Sequence, residues 1–203
     1  MLPKNQRRAV IILVSVLILL LYVTRSVSVI IPFSITVLAL LLFYYIDRSF
    51  KFDFPEAFYI YIFFIFITGT IIGGAYPPFG LYYREIFFDK FLHFISPIMM
   101  SAVVFFILNR LDITLKWKLL MTVGLVFGIL GAFESGEYLS DVWFGTLHQG
   151  VYIKDFVDKI KPPELISDPL TDTMQDLIFG LLGSIVFVCF KSLNIFIGHR
   201  KKK

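Results

Sequence analysis

Six stretches of this chain, residues 9–24, 27–46, 57–76, 90–108, 119–140 and 171–190, are long and almost uninterruptedly apolar. A helix needs about 20 mostly apolar residues to cross the hydrocarbon core of a bilayer. In hydrocarbon the backbone must satisfy its own hydrogen bonds, so each stretch reads as a helix and no strand reading competes. The expected fold is all-α, a polytopic membrane protein with about six transmembrane helices in one bundle. The stretches take up well over half of the 203 residues, so residues 1–203 are expected to form a single helical transmembrane domain. Hydrophobic residues at 58% of positions are too many for a soluble domain with a polar surface.

Orientation follows from Lys and Arg in the short connections, which favour the cytoplasmic side. With the N-terminus inside, thirteen basic and four acidic residues fall inside, against six basic and eleven acidic residues outside. The inner face is then +9 and the outer face −5, matching the net charge of +4. The chain is expected in the cell membrane as a multi-pass protein with both termini cytoplasmic and the lipid bilayer as its main partner. The first span follows Lys4, Arg7 and Arg8, as a signal peptide would. Its exit, Leu21-Tyr22-Val23-Thr24-Arg25, offers no small-residue cleavage site, so it reads as a retained anchor. The basic charge is spread over loops, which argues against nucleic acid, and the tail from His199 to Lys203 suits anionic headgroups. The single Cys189 allows neither an internal disulfide nor a cysteine-based zinc site.

The chemistry lies where acids meet the ends of spans. Asp89 and His93 are four apart, hence on one helix face. Glu134 and Glu137 are three apart near the end of the fifth span. Too few apolar residues precede Glu134 to cross a bilayer, so this helix should run on through Glu137 toward Asp141. The sixth span has the mirror-image shortage and should start near Pro169, taking in Asp172 and Asp176. Ionisable groups at membrane depth are costly unless paired, hydrated or coordinated. Asp89, His93, Glu134, Glu137, Asp172 and Asp176 are thus candidate ligands of a shared site. Carboxylates crowded in low dielectric cannot all stay charged without cations. The outer basic residues, Lys90 and Arg84 among them, look too few for this. Either some of the acids are protonated or a divalent metal ion holds the group together; a mixed histidine and carboxylate set suits zinc, manganese or iron, and carboxylates alone would suit calcium or magnesium.

Plainer roles stand beside these. Asp168 before Pro169 looks like a helix N-cap with proline at the first helical position. Asp172 could favour the helix dipole, His93 could be an interfacial histidine, and Asp89 could simply pair with Lys90 or Arg84. Asp141, His148 and Gln149 lie close to the site on a long loop, 141–170, expected to be flexible. Within it, residues 151–160 suggest a short helix on the membrane surface, ended by Pro162 and Pro163, whose Asp155 and Asp158, with Glu164, make a solvated face. The tyrosines of residues 77–89 suit an interfacial aromatic belt. Glycines at 69, 73 and 74, at 124, 128 and 131, and at 180 and 183 would let helices approach closely.

At these residues the chain resembles the YjdF-like family of multi-span membrane proteins. The likeness rests on Asp89 with His93, Glu134 with Glu137, and Asp172-Thr173-Met174-Gln175-Asp176 followed by Gly180 and Gly183. It covers the second half of the chain and implies a topology and a site, but no reaction. More remotely, Asp89-Lys90-Phe91-Leu92-His93 and Asp176 with Gly183 are similar to VanZ-like proteins, associated with glycopeptide resistance. Gly180 stands where those proteins carry asparagine, and their arginine before the aspartate is missing.

Three functions fit this reading. The first is a divalent-cation site at the outer face acting on a lipid-linked or envelope substrate, with Glu134 or Glu137 as general base. The second is a structural or envelope-stress membrane protein whose polar cluster locks helix packing. The third is a cation or proton transporter, which would also need polar residues through the inner halves. Only Ser34, Thr36, Ser101 and Thr122 are scattered there.

Overall fold

The computed structural model describes residues 6, 9–10, 13–14, 16–18, 27–74, 80–85, 87–153 and 163–200. The expected first span, 9–24, lies largely outside the described residues, as do Pro77, Pro78 and residues 154–162. The chain forms two compact units, Met1–Phe88 and Asp89–Lys203. Four helical stretches among the described residues are long and apolar enough to cross a membrane: Glu56–Gly74, Phe88–Leu108, Leu115–Phe144 and Pro169–Gly198.

In the first unit, α1 (Val27–Phe50) covers the expected second span and α2 (Glu56–Phe66) runs into a π-helical stretch, Ile67–Gly74, to cover the third. A 3-10 turn follows at Leu81–Tyr83. Gly73 makes room for an aromatic ring, since a Cβ there would lie 2.7 Å from Tyr82 Cδ2 and 2.9 Å from Phe88 Cε1. Tyr82 therefore packs over Gly73 and meets the Phe88 ring edge-on at 5.2 Å. Burial likewise pushes the Tyr83 phenol above its usual pKa.

The turn from α1 to α2 is tight enough to put Lys51 and Asp53 at positive φ. Asp47 holds it. Its carboxylate accepts the Phe54 N–H at 3.1 Å and the Tyr59 hydroxyl at 2.5 Å, while its carbonyl accepts the Phe52 N–H at 3.1 Å. Phe43 stacks on Phe54 at 4.8 Å and meets the Tyr59 ring edge-on, closing the carboxylate off. Stripping a buried acceptor from two donors leaves both unsatisfied, at about 1–3 kcal/mol each. Asp47→Ala is therefore expected to lower the thermal unfolding temperature in detergent clearly, and Tyr59→Phe less so. Equal melting of Asp47→Ala and wild type would count against this staple.

The second unit holds α3 (Phe88–Leu108), α4 (Leu115–Phe144), a hairpin of β1 (Val151–Ile153) and β2 (Glu164–Ser167), and α5 (Pro169–Arg200). As the bilayer argument requires, α4 continues through Glu137 and Asp141, and α5 starts at Pro169. Gly145, at φ 63°, takes the left-handed conformation that stops α4. Asp168 caps α5 by accepting the Thr171 N–H at 3.0 Å. The hydroxyl and N–H of Thr171 hold its carboxyl below the usual range. That cap is complete above about pH 4, the ordinary carboxylate pKa, and fades only as pH falls through the lower folded value.

One expected element is different. Val151–Ile153 is a strand, paired antiparallel with Glu164–Ser167, and not the start of a surface helix. Two β-branched residues flanking Tyr152 favour extended backbone, and a partner strand was available across the loop.

Two glycines bring these helices together. A Cβ on Gly183 would run into the Phe94 carbonyl oxygen of α3 and lie 3.4 Å from Pro97 Cβ. One on Gly180 would run into the Leu130 side chain of α4. Gly124, Gly128 and Gly131 behave otherwise. Nothing lies within 4 Å of a Cβ built on them, so the close approach expected there has no partner among the described residues.

Candidate functional site

The site grows from the first turns of α3 and α5 and the last third of α4. Lys90 is its centre. Although it stands in the first turn of α3, its side chain is only 7% exposed and its ammonium lies among carboxylates. Nζ donates to Asp176 Oδ1 at 2.8 Å and Oδ2 at 2.9 Å, to Asp172 Oδ1, and to Asp89 Oδ2 at 3.3 Å. The sequence expectation treated Lys90 as one of too few loose outer cations. It is instead the internal counter-ion of three acids. The four-carbon stem lets the backbone stay at the helix start while the charge reaches α5.

His93 lies one turn further along α3. Its Nε2 is 3.6 Å from Asp89 Oδ1, and its Nδ1 is 3.6 Å from Glu134 Oε1 and 3.9 Å from Asp176 Oδ1. These separations are too long for hydrogen bonds. His93 Nδ1 and Glu134 Oε1 are both buried without a hydrogen-bond partner, and they face each other. Pro97, four residues on from His93, has no N–H to give the His93 carbonyl, so the helix ladder is interrupted at this level.

The described start of the loop after α4 is held by Asp141. Asp141 accepts the Thr146 hydroxyl at 2.6 Å and the backbone N–H groups of His148 at 2.9 Å and Gln149 at 2.8 Å. That fold-back aims two donors at the site. Gly150, at φ 89°, gives its N–H to Asp172 Oδ2 at 2.9 Å. The Gln149 amide donates to Thr173 Oγ1 at 3.1 Å, and the Thr173 hydroxyl in turn bonds the Glu134 carboxylate.

Five of the six candidate residues therefore meet: Asp89, His93, Glu134, Asp172 and Asp176. Glu137 is half-buried one turn beyond Glu134, within electrostatic reach of Glu134, Asp89 and Asp176 but without a direct contact. His148 offers the site no side-chain contact, and Asp141 serves the loop. Lys90 and Thr173 were missed as site residues. Thr173 stands inside the Asp172-to-Asp176 stretch already singled out, and that position was the available signal.

Depth can be gauged on α4 itself. Trp117 and Trp143, both exposed, stand near its ends about 39 Å apart at a rise of roughly 1.5 Å per residue. That separation matches the interfaces of a bilayer about 40–45 Å thick with its headgroups. Glu134 stands nine residues before Trp143, about 13 Å back along the helix axis. Asp89, His93 and Asp176 each offer one ligand atom, all within 4.8 Å of one another. Glu134, Glu137 and Asp172 stand outside that group. The donor set, one imidazole and two carboxylates, fits a borderline or hard divalent ion.

Apolar helices long enough to cross a bilayer, carrying buried acids, a histidine and a lysine, define an α-helical integral membrane protein with a polar site among α3, α4 and α5. The chain belongs to the family described as "Predicted membrane protein (DUF2238)", which it matches over residues 6–194. This family agrees with the likeness to YjdF-like proteins, whereas the likeness to VanZ-like proteins finds no support. No curated protein and no solved structure matches the chain.

Proposed function

We propose that this protein holds a divalent cation between Asp89, His93 and Asp176 at the outer face of the membrane, and uses the site on a lipid-linked headgroup. The observation that carries this reading is the close set of three donors beside two buried, unpartnered atoms, His93 Nδ1 and Glu134 Oε1. In the tautomer with the proton on Nε2, His93 Nδ1 and Glu134 Oε1 are two acceptors 3.6 Å apart, which repel unless a donor or a cation lies between them. Charge points the same way. Asp89, Glu134, Glu137, Asp172 and Asp176 face one lysine, and buried carboxylates left uncompensated are costly.

A bound ion would supply Lewis acidity and an acidified water. The chain's own contribution is Glu134, whose Oε1 is free to take a proton while Thr173 fixes the rest of its carboxylate. Gln149 holds Thr173 in place from the loop. The outer-face placement rests on the distribution of Lys and Arg, with both termini cytoplasmic.

Elemental analysis tests this directly. Protein purified without chelators is expected to carry near-stoichiometric zinc, manganese or iron, and His93→Ala to lose it with its helical content unchanged. Metal-free wild type of normal stability would sink the proposal. A second reading, in which the cluster only locks helix packing, draws on the Lys90 ion pairs. It expects His93→Ala to change the melting temperature and no ligand's binding.

A further inference from the structure

We infer that Lys90 is a tethered competitor of the cation, and that loading the site releases its ammonium from Asp176 and leaves it on Asp172. This rests on the cation reading above and specifies how the site is regulated. The geometry is a conflict over one carboxylate. Asp176 belongs to the set of three donors, yet Lys90 Nζ already binds both of its oxygens, at 2.8 and 2.9 Å. An ion taking either oxygen would meet an ammonium at short range, and like charges in a buried site repel strongly. One of the two must leave.

Asp172 is placed to receive the lysine. It lies outside the donor set, its Oδ1 already accepts from Nζ, and its backbone carbonyl is 3.5 Å from the same nitrogen. Its other oxygen is held by the Gly150 N–H, which keeps the carboxylate turned toward α3. Lysine suits such an exchange because its ammonium is a point charge on a flexible stem, whereas arginine would clamp a carboxylate through two fixed N–H groups. His93 Nδ1, one of the two buried unpartnered atoms, lies 3.9 Å from Asp176 Oδ1, the same oxygen that Lys90 holds at 2.8 Å, so lysine and cation contend for one atom. In the lysine-occupied state the site is closed by its own counter-ion. With a cation loaded, Glu134 would stand beside it with Oε1 free to take a proton.

The test is Mn²⁺ binding to the full-length protein in detergent, measured by calorimetry and by the loss of the free-ion electron paramagnetic signal. Lys90→Met is expected to bind Mn²⁺ at least tenfold more tightly than wild type, and Lys90→Arg at least tenfold more weakly. Asp172→Asn, which removes the alternative seat, should weaken binding in the wild-type background and have a smaller effect once Lys90 is methionine. If Lys90→Met cannot be purified without the ion, the Lys90→Arg result decides, and binding equal to or tighter than wild type overturns the inference. Wild type that binds, with Lys90→Met no tighter, overturns the exchange and leaves the cation site standing. If wild type and both variants bind no Mn²⁺, both proposals fall.

Discussion

Gly183→Val is expected to destroy the folded second unit, while Gly128→Ala is expected to leave it intact. Both replace a helical glycine in an apolar span, so sequence pattern alone would rank them together. The difference lies in what a side chain would strike. At Gly183 it meets the Phe94 carbonyl oxygen, which is backbone and cannot rotate aside, so α3 and α5 must separate. Overpacking against side chains costs about 1–3 kcal/mol, and a rigid neighbour should push the effect to or beyond the top of that range. Gly180→Ala falls in between, because Leu130 can change rotamer. At Gly128 there is open space, and alanine is intrinsically better in a helix than glycine by up to about 1 kcal/mol. Thermal unfolding in detergent, followed by helical circular dichroism, checks the series. A Gly183→Val protein that melts with wild type would mean α3 and α5 do not cross there.

These glycines also mark how far sequence reasoning reached. The rule that small residues let helices approach was right for Gly180 and Gly183 and found no partner for Gly124, Gly128 and Gly131. Spacing identifies a face but not what covers it. Helix length was legible for a firmer reason. The bilayer has a fixed thickness, so a helix with too few apolar residues before Glu134 had to carry Glu134 and Glu137 inward. The same shortage placed Asp172 and Asp176 inside α5. Span length thus set the helix extents that carry these acids, α4 through Glu137 and α5 from Pro169.

What stayed hidden were long side chains and loop returns. Lys90 sits next to Asp89 in the sequence, and a lysine at a span's edge ordinarily snorkels outward. Only the position of α5 shows its stem turned inward. Gln149 and Gly150 reach the site because Asp141 gathers three loop donors, a closure made by a residue eight positions away. Asp47 was counted only as charge on the inner side, although the turn to α2 wraps its carboxylate in Phe54 and Tyr59. Each of these depends on a partner distant in sequence, and no local pattern encodes it.

The second large effect concerns Lys90 and stability. In the absence of added cation, Lys90→Met should cost roughly 3–5 kcal/mol, the usual consequence of removing one partner of a buried ion pair. The effect should be severe because the methionine leaves Asp89, Asp172 and Asp176 facing each other with no positive charge between them. Removing Asp176 as well changes the sign of the argument. In Lys90→Met with Asp176→Leu, the deepest carboxylate and its partner are both replaced by apolar groups of similar bulk, and much of the loss should be recovered. Monovalent salt should not substitute, since buried pairs are poorly screened. Mn²⁺ should restore the single variant but not the double, because only the single variant keeps Asp176 to bind it. Thermal melts of the wild type and both variants, each with and without Mn²⁺, separate these outcomes. If the single and double variants melt alike, replacing Asp176 recovers nothing, and the cost of Lys90→Met does not come from leaving Asp176 without its counter-ion.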